Sequence, residues 1–179
     1  MAATRIAFLI FLFSWNVEAF AFDPAKDFGR GSKENHVHVD AMADPNKAVP
    51  GDLFELRIWL EMDEGWHIYS LESSPGEKEF STRIEIFDSR FLPQGNWREP
   101  SPEIMLDGAL GRVVKTHKNL IEFRRHYWVP RNMAEGRYPL LGSIEYRACD
   151  NRICTLPTLE KFTANLQILN PSLKLDRVD

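Results

Sequence analysis

The segment Phe54-Glu-Leu-Arg-Ile-Trp-Leu-Glu-Met62 places an apolar side chain at every second position. Glutamate or arginine occupies three of the four positions in between. A period of two is the pattern of a β-strand that buries one face and exposes the other, because successive side chains of a strand point to opposite sides. We therefore predict a half-buried strand in this segment.

The same pattern recurs along the chain, whereas no segment has the 3.6-residue period of an amphipathic helix. Further strands are predicted at residues 36–40, 66–70, 83–87, 121–129, 138–148 and 162–168. Residues 91–120 contain several prolines and glycines, so we expect an irregular connection there. Seven or eight strands separated by turn residues predict an all-β fold, an antiparallel β sandwich.

The N-terminal residues have the composition of an export signal. Arg5 precedes an apolar segment at residues 6–15, and Ala19-Phe20-Ala21 has the small-x-small pattern that signal peptidase cleaves. The apolar segment is shorter than the roughly 20 residues that a membrane-spanning helix needs. We therefore predict an exported protein whose signal peptide, residues 1–21, is cleaved near Ala21, with no membrane span in the mature chain.

A single domain is predicted after the signal peptide. Residues 22–35 are expected to be a flexible lead-in, residues 36–170 the sandwich domain, and residues 171–179 a C-terminal tail. The hydrophobic fraction of 44% is that of a globular domain. With 22 Lys and Arg against 26 Asp and Glu, the formal net charge of -4 gives no attraction for nucleic acid or an anionic membrane surface. We expect neither as a partner.

The chain has two cysteines, Cys149 and Cys154. Ile144 and Tyr146 share one face of the preceding predicted strand, and Cys149 belongs to the opposite face. If Ile144 and Tyr146 face the core, Cys149 is expected to face outward. Asp150 and the asparagine after it supply a turn, so the two sulfurs are expected to lie across a tight connection in which a disulfide is geometrically possible.

These residues alone leave three interpretations of the cysteine pair. A structural disulfide is the default in an exported protein. However, closing so small a loop removes little chain entropy and stabilises the fold only slightly, which suits a bridge that opens and closes. A metal site would join the two thiolates to a histidine, but the second pair of ligands that zinc sites normally show is missing, so we predict no metal and no cofactor.

Two motifs resemble a known family. Tyr146-Arg-Ala-Cys-Asp-Asn-Arg-Ile-Cys-Thr-Leu-Pro157 and Gly65-Trp-His-Ile-Tyr69 look like the N-terminal periplasmic domain of the thiol:disulfide interchange protein DsbD. The resemblance extends over roughly residues 37–169. It implies an immunoglobulin-like sandwich in the periplasm, whose cysteine pair exchanges with thioredoxin-fold proteins.

The resemblance also assigns site residues. Cys149 and Cys154 match the redox pair, while His67 and Tyr69 match side chains beside it. Asp150 is expected near the pair as the residue that follows Cys149. In the family a cap loop shields the sulfurs, and the segment 97–119 is the candidate for that loop here.

The function implied is periplasmic thiol-disulfide exchange, as a protein-disulfide reductase component that passes reducing equivalents through Cys149 and Cys154 to or from thioredoxin-fold proteins. The 179 residues contain no second cysteine motif and no hydrophobic span after the signal. We therefore expect a separate reductant, membrane-bound or thioredoxin-like. The alternative is a redox-inert immunoglobulin-like module that binds a protein partner and carries a structural disulfide.

Overall fold

The computed structural model describes residues 35–72, 79–87, 90–170 and 172. The predicted signal peptide and nearly all of the lead-in and C-terminal tail lie outside the described residues. Within the described part the secondary structure consists of twelve strands without an α-helix. The strands are β1 (Val37–Asp44), β2 (Lys47–Ala48), β3 (Leu53–Met62), β4 (His67–Tyr69), β5 (Arg83–Ile86), β6 (Leu92–Arg98), β7 (Glu103–Asp107), β8 (Arg112–Lys118), β9 (Leu120–Trp128), β10 (Gly136–Tyr146), β11 (Ala148–Cys149) and β12 (Thr158–Ile168). None of the described residues belongs to a helix capable of spanning a bilayer.

The strands form three four-stranded sheets, with the orders β1-β3-β9-β6, β2-β12-β10-β5 and β11-β4-β8-β7. All pairings are antiparallel except the parallel pairing of β2 with β12. The all-β prediction is confirmed, and the strand predicted from Phe54 to Met62 is β3.

The first two sheets enclose the main core. The apolar face predicted for β3 is buried. In the second sheet, β10 and β12 add further buried aliphatic side chains. These core residues are Phe54, Leu56, Ile58 and Leu60 on β3, Leu140 and Ile144 on β10, and Ala164, Leu166 and Ile168 on β12. Each fully buried large aliphatic side chain contributes about 1.5 to 3 kcal/mol relative to exposure, so this face supplies the main driving force for the sandwich.

The expectation of an irregular connection at residues 91–120 is wrong. The segment contains β6, β7 and β8. Its breakers lie where strands tolerate them: Pro93 is in β6 at the edge of its sheet, Gly95 falls in the register shift of that strand, and Gly108 lies in the turn after β7. Proline is excluded from central strands but not from an edge strand, whose N-H groups can face solvent.

Strands β7 and β8 form an antiparallel hairpin, here called the cap hairpin (Glu103–Lys118). Its turn is held by Asp107, whose main-chain carbonyl accepts a 2.7 Å hydrogen bond from the Gly111 amide. The Asp107 carboxylate also accepts hydrogen bonds from the amides of Ala109 at 2.8 Å and Leu110 at 3.1 Å. This local bonding of an aspartate side chain to the backbone two and three residues on stabilises a tight turn. The third sheet thus brings the cap hairpin beside β4 and β11, which carry the predicted site.

Candidate functional site

Cys149 and Cys154 are joined by a disulfide, with Cα atoms 4.1 Å apart. The bridge closes a loop that begins at the end of β11. Thr155 returns toward the strand, because its amide donates to the Ala148 carbonyl at 2.8 Å and its hydroxyl accepts from the Ala148 amide at 3.2 Å. The two sulfurs therefore lie across the tight connection that the sequence predicts.

Asp150 organises this loop from within. Its carboxylate accepts hydrogen bonds from the amides of Arg152 at 2.6 Å and Ile153 at 2.7 Å, and its own amide donates to the Ile153 carbonyl at 3.0 Å. The amides of Ile153 and Arg152 lower the pKa of Asp150, since they stabilise its charged form. Asp150 is thus near the cysteine pair, and its carboxylate is engaged with the loop backbone.

The expectation that Cys149 faces outward is wrong in one respect: the residue is fully buried. The alternation itself continues, because Ala148 belongs to the main core and Cys149 to a second, smaller cluster on the other side of the strand. That other side is covered. Tyr69 and Val114 are the buried partners of Cys149 in this cluster, and Cys154 packs against it while remaining only partly buried.

The cap hairpin supplies much of the cover. Met105 and Leu110 pack against the small cluster from the hairpin and its turn. Gly108 sits so close to the cysteine loop that a Cβ atom added there would overlap the carbonyl oxygen of Asn151. The segment expected to act as a cap loop therefore lies against the disulfide, but as a paired hairpin whose tip contacts the backbone of the cysteine loop.

Three polar side chains meet at the buried sulfur. The hydroxyl oxygen of Tyr69 lies 3.0 Å from Cys149 Sγ and 3.6 Å from Cys154 Sγ. The same hydroxyl donates a 2.5 Å hydrogen bond to Asp107 Oδ2, and His67 Nε2 lies 3.2 Å from that carboxylate oxygen. His67 and Asp107 are at most 1% exposed.

Strand pairing explains why these residues meet. Cys149 is the cross-strand partner of His67, and Ala148 is the partner of Ile68. Because side chains alternate along a strand, His67 and Tyr69 share the face of Cys149, while Ile68 joins the main core. The Gly-Trp-His-Ile-Tyr motif and the cysteine motif are thus brought together by a short antiparallel pairing.

The network shifts the ionisation of its members. Burial alone would raise the pKa of Asp107, but hydrogen bonds from Tyr69, the Leu110 amide and His67 outweigh it, so the pKa lies below its ordinary value. Burial, together with the hydrogen bond and negative charge of Asp107, raises the pKa of Tyr69 well above its ordinary value. The pair is therefore a carboxylate and a neutral phenol at neutral pH.

Phe80 adds an aromatic cover with two cations. Its ring lies 5.5 Å from the Tyr69 ring, and the guanidinium groups of Arg147 and Arg112 lie 5.0 and 5.5 Å from its centroid. The positive charges of Arg147 and Arg112 act on Tyr69 in the direction opposite to Asp107. The surroundings of the disulfide thus combine a buried anion with two nearby cations.

The sequence indicated His67, Tyr69 and Asp150 beside Cys149 and Cys154, and the structure places all three there. Their roles in exchange remain predictions. Asp107 and Phe80 were missed. The signal for Asp107 was the Asp-Gly dipeptide that it forms with Gly108 directly after the apolar residues Ile104-Met-Leu106, because Asp-Gly marks a turn. No comparable signal identifies Phe80, since its position depends on the tertiary fold.

Comparison with protein-family models gives no match, and a search of curated proteins gives none either. Among solved structures, the N-terminal periplasmic domain of ScsB from Proteus mirabilis is similar with a TM-score of 0.51 and 18% identity, covering 81% of this chain and 53% of that one. The N-terminal domain of DsbD from Neisseria meningitidis, in its reduced form, has a TM-score of 0.47 and 15% identity, covering 82% of this chain and 91% of that one.

Two structural neighbours of this chain are thus N-terminal domains of DsbD and ScsB. The immunoglobulin-like sandwich predicted from the two motifs is confirmed. The chain spans about half the length of the ScsB structure that it matches. At 18% identity, the likeness to the ScsB domain establishes the fold alone.

Proposed function

We propose that this domain carries out thiol-disulfide exchange in the periplasm with thioredoxin-fold proteins, through Cys149 and Cys154. The observation that carries the proposal is the Tyr69–Asp107–His67 network at Cys149 Sγ. A bridge that serves only to tie two strands together needs no ionisable groups at its sulfur, whereas perturbed ionisable groups gather at sites of chemistry. The fold shared with a periplasmic domain of ScsB supports the compartment.

The difference in burial between the two sulfur-bearing residues gives the order of events. A thiolate attacks a disulfide in line with the leaving sulfur and therefore needs access to the sulfur it attacks. Cys149 is fully buried and Cys154 is partly exposed. The partner's thiolate bonds to Cys154 Sγ, the S-S bond breaks, and its electron pair leaves with Cys149 Sγ.

The partner's second thiolate then attacks the partner's first sulfur, which is bonded to Cys154 Sγ in the mixed disulfide. Cys154 leaves as a thiolate. Two electrons have passed from the partner's dithiol to this domain, and the two thiolates take up protons from the surroundings. The same steps in reverse pass reducing equivalents onward. In this proposal a thioredoxin-like dithiol reduces the domain and a second thioredoxin-fold protein receives the electrons.

Tyr69 is placed to assist the departure of Cys149. Its hydroxyl oxygen is 3.0 Å from Cys149 Sγ, so a rotation of the O-H bond turns the donor from Asp107 to the new thiolate. The buried carboxylate of Asp107 disfavours a second negative charge beside it, which promotes protonation of that thiolate. Tyr69 thus stabilises the thiolate of Cys149 as it leaves, and Asp107 favours the later protonation of that thiolate to the neutral thiol.

The outer face of the cap hairpin provides a docking surface for the thioredoxin-fold partner. Ile104 and Leu106 on β7 and Val113 on β8 are apolar and exposed. Leu106 pairs directly with Val113, so the side chains form one continuous patch. Ile153 adds an exposed apolar side chain from the cysteine loop. Contiguous apolar patches on a soluble domain mark interaction sites, and this one lies on the hairpin whose inner residues Met105 and Val114 pack at the disulfide.

Trapping of the mixed disulfide tests the proposal. In Cys149→Ala the accessible Cys154 thiol remains without an internal partner, and we expect it to accumulate mixed disulfides with thioredoxin-fold proteins in periplasmic extracts. Cys154→Ala leaves only the buried thiol and is expected to trap much less. If both variants remain free of mixed disulfides while staying folded, the exchange function is overturned.

The complete burial of Cys149 favours the second candidate, a redox-inert module that binds a protein partner. The reduction potential separates the two. Equilibration of the pair with a thioredoxin-fold protein supports exchange, whereas a potential below about -300 mV, resistant to glutathione, supports a structural bridge.

A further inference from the structure

The side chains around the disulfide include a set of metal-binding atoms that are hidden in the oxidised protein. His67 Nε2, Asp107 Oδ2 and Cys149 Sγ all lie within 4.8 Å of one another, and all three residues are buried. We propose that the reduced domain binds one Zn²⁺ ion through His67, Asp107 and the thiolates of Cys149 and Cys154. This site goes beyond the exchange function and needs only that the disulfide be reduced.

The donor set suits zinc. Structural zinc sites take four tetrahedral ligands from cysteine sulfur, histidine nitrogen and carboxylate oxygen. With Zn-S of about 2.3 Å and Zn-N or Zn-O of about 2.0 to 2.2 Å, neighbouring donor atoms of a tetrahedron lie about 3.3 to 3.8 Å apart. His67 Nε2 and Asp107 Oδ2 are already 3.2 Å apart. A small inward movement of Cys149 Sγ completes three of the four positions.

The redox state controls the fourth position. In the disulfide the two sulfur atoms are bonded to each other, so neither is a thiolate that could bind the ion. A dithiol reductant transfers two electrons to the bridge, the S-S bond breaks, and two protons yield two thiols. Zn²⁺ then displaces both protons and bonds to two thiolates. The oxidised protein lacks these ligands, so the site exists only after reduction.

The surroundings of Asp107 orient it for this role. One carboxylate oxygen is fixed by the amides of Ala109 and Leu110, which leaves the other directed toward His67 and Cys149. Hydrogen bonds of this kind position metal ligands in other sites. The hydroxyl of Tyr69 lies between Asp107 and Cys149 and must move aside when the ion binds. Tyr69 therefore competes with the metal and is not one of its ligands.

The sequence analysis predicts no metal, because a zinc site normally shows its ligands in two closely spaced pairs. Here the histidine, the aspartate and the cysteine pair come from β4, β7 and the loop after β11, and only the third sheet brings them together. A consequence is that bound zinc occupies both thiolates. It should protect them from alkylation and block exchange until a chelator removes it.

The experiment uses the whole domain, reduced with a phosphine and desalted without oxygen. Titration with Zn²⁺ in competition with a chromogenic chelator should give one ion per reduced molecule and none in the oxidised protein. Co²⁺ should give thiolate-to-metal charge-transfer absorption. Asp107→Asn and His67→Gln should each weaken zinc binding by at least about tenfold. Tyr69→Phe should bind zinc as tightly as the wild type or more tightly.

His117→Gln is the matched control, because His117 is also a buried histidine bonded to a carboxylate, that of Glu99 at 2.9 Å, but is not in the metal-ligand group. Its zinc affinity should equal that of the wild type. X-ray absorption of the zinc-loaded wild type should show two sulfur ligands and one imidazole. This measurement tests the ligand set even if a variant fails to fold. Absence of zinc from the reduced protein, or two sulfurs without an imidazole, overturns the site. A domain that traps partners but takes no zinc keeps its exchange function.

Discussion

Tyr69 donates a 2.5 Å hydrogen bond to Asp107, and both side chains lie beside the buried sulfur of Cys149. The bond links β4, the strand that pairs with β11 at Cys149, to the cap hairpin, which covers Cys149. Because the same oxygen contacts Cys149 Sγ, packing of the cap and chemistry at the sulfur depend on one atom.

Tyr69→Phe tests this dependence. The variant leaves the buried carboxylate of Asp107 without its shortest hydrogen bond, which should lower the free energy of unfolding by about 1 to 3 kcal/mol. The departing thiolate of Cys149 also loses its donor, so reduction by a dithiol should slow several-fold. Chemical denaturation and reduction kinetics measure the two effects.

Tyr138→Phe is the control for that variant, since its hydroxyl bonds to the exposed Ala134 carbonyl, which water can satisfy instead. It should change neither quantity appreciably. A Tyr69→Phe protein with wild-type reduction kinetics would remove Tyr69 from the mechanism.

The lowered pKa of Asp107 predicts an acid-sensitive contribution to stability. Its folded pKa lies below the unfolded value of about 3.9, so the carboxylate stabilises the fold fully above that pH and less as pH falls through the folded pKa. The stability difference between wild type and Asp107→Asn should therefore be largest near neutral pH and shrink below about pH 4. Denaturation curves at several pH values measure it.

The stability difference between wild type and Asp107→Asn excludes the contributions of other acids. Glu99, for example, also has a lowered pKa, but it titrates equally in both proteins. A difference that stays constant from pH 7 to about pH 3 would show that the charge of Asp107 makes no contribution to stability.

The local alternation of apolar and polar residues was sufficient to predict the sandwich but not the cap hairpin. The alternation in β3 and β10 identifies their core faces because one side of each strand packs against the opposite sheet. Parity also placed Cys149 correctly on the side opposite to Ile144 and Tyr146. It could not show that the outer side of Cys149 is covered, since the cover comes from a hairpin distant in sequence. Asp107 reaches the site for the same reason, through the pairing of β4 with β8 and of β8 with β7.

Gly108→Ala should loosen the cap. The added methyl group would overlap the Asn151 carbonyl oxygen, and backbone atoms on both sides must move apart to admit it. We expect the disulfide to be reduced several-fold faster by a small dithiol, because the route to the sulfurs widens. Reduction kinetics under native conditions measure the effect.

Gly142→Ala makes the matched control. A Cβ atom at Gly142 would come within 2.7 Å of the Glu85 carbonyl oxygen and would also overlap the ring of Phe162, so this variant strains the second sheet of the sandwich. It should lower overall stability without a selective gain in disulfide reactivity. Equal acceleration in the two variants would mean that general destabilisation, and not cap position, controls access.

Because the apolar patch on the cap hairpin is the proposed docking surface, a charge placed in it should weaken partner binding without a folding defect. Leu106 is 67% exposed, so Leu106→Glu removes little buried area from the isolated domain. A charge at the centre of the patch must be desolvated when a partner docks, and truncation or loss of a central contact typically costs more than 1 kcal/mol at an interface hot spot. In the Cys149→Ala background, the yield of trapped mixed disulfide should fall about tenfold, with the unfolding midpoint unchanged.

Leu159→Glu, at a 58% exposed leucine on β12, is the control and should trap as the parent does. Equal yields from the Leu106 and Leu159 variants would place the docking surface elsewhere on the domain.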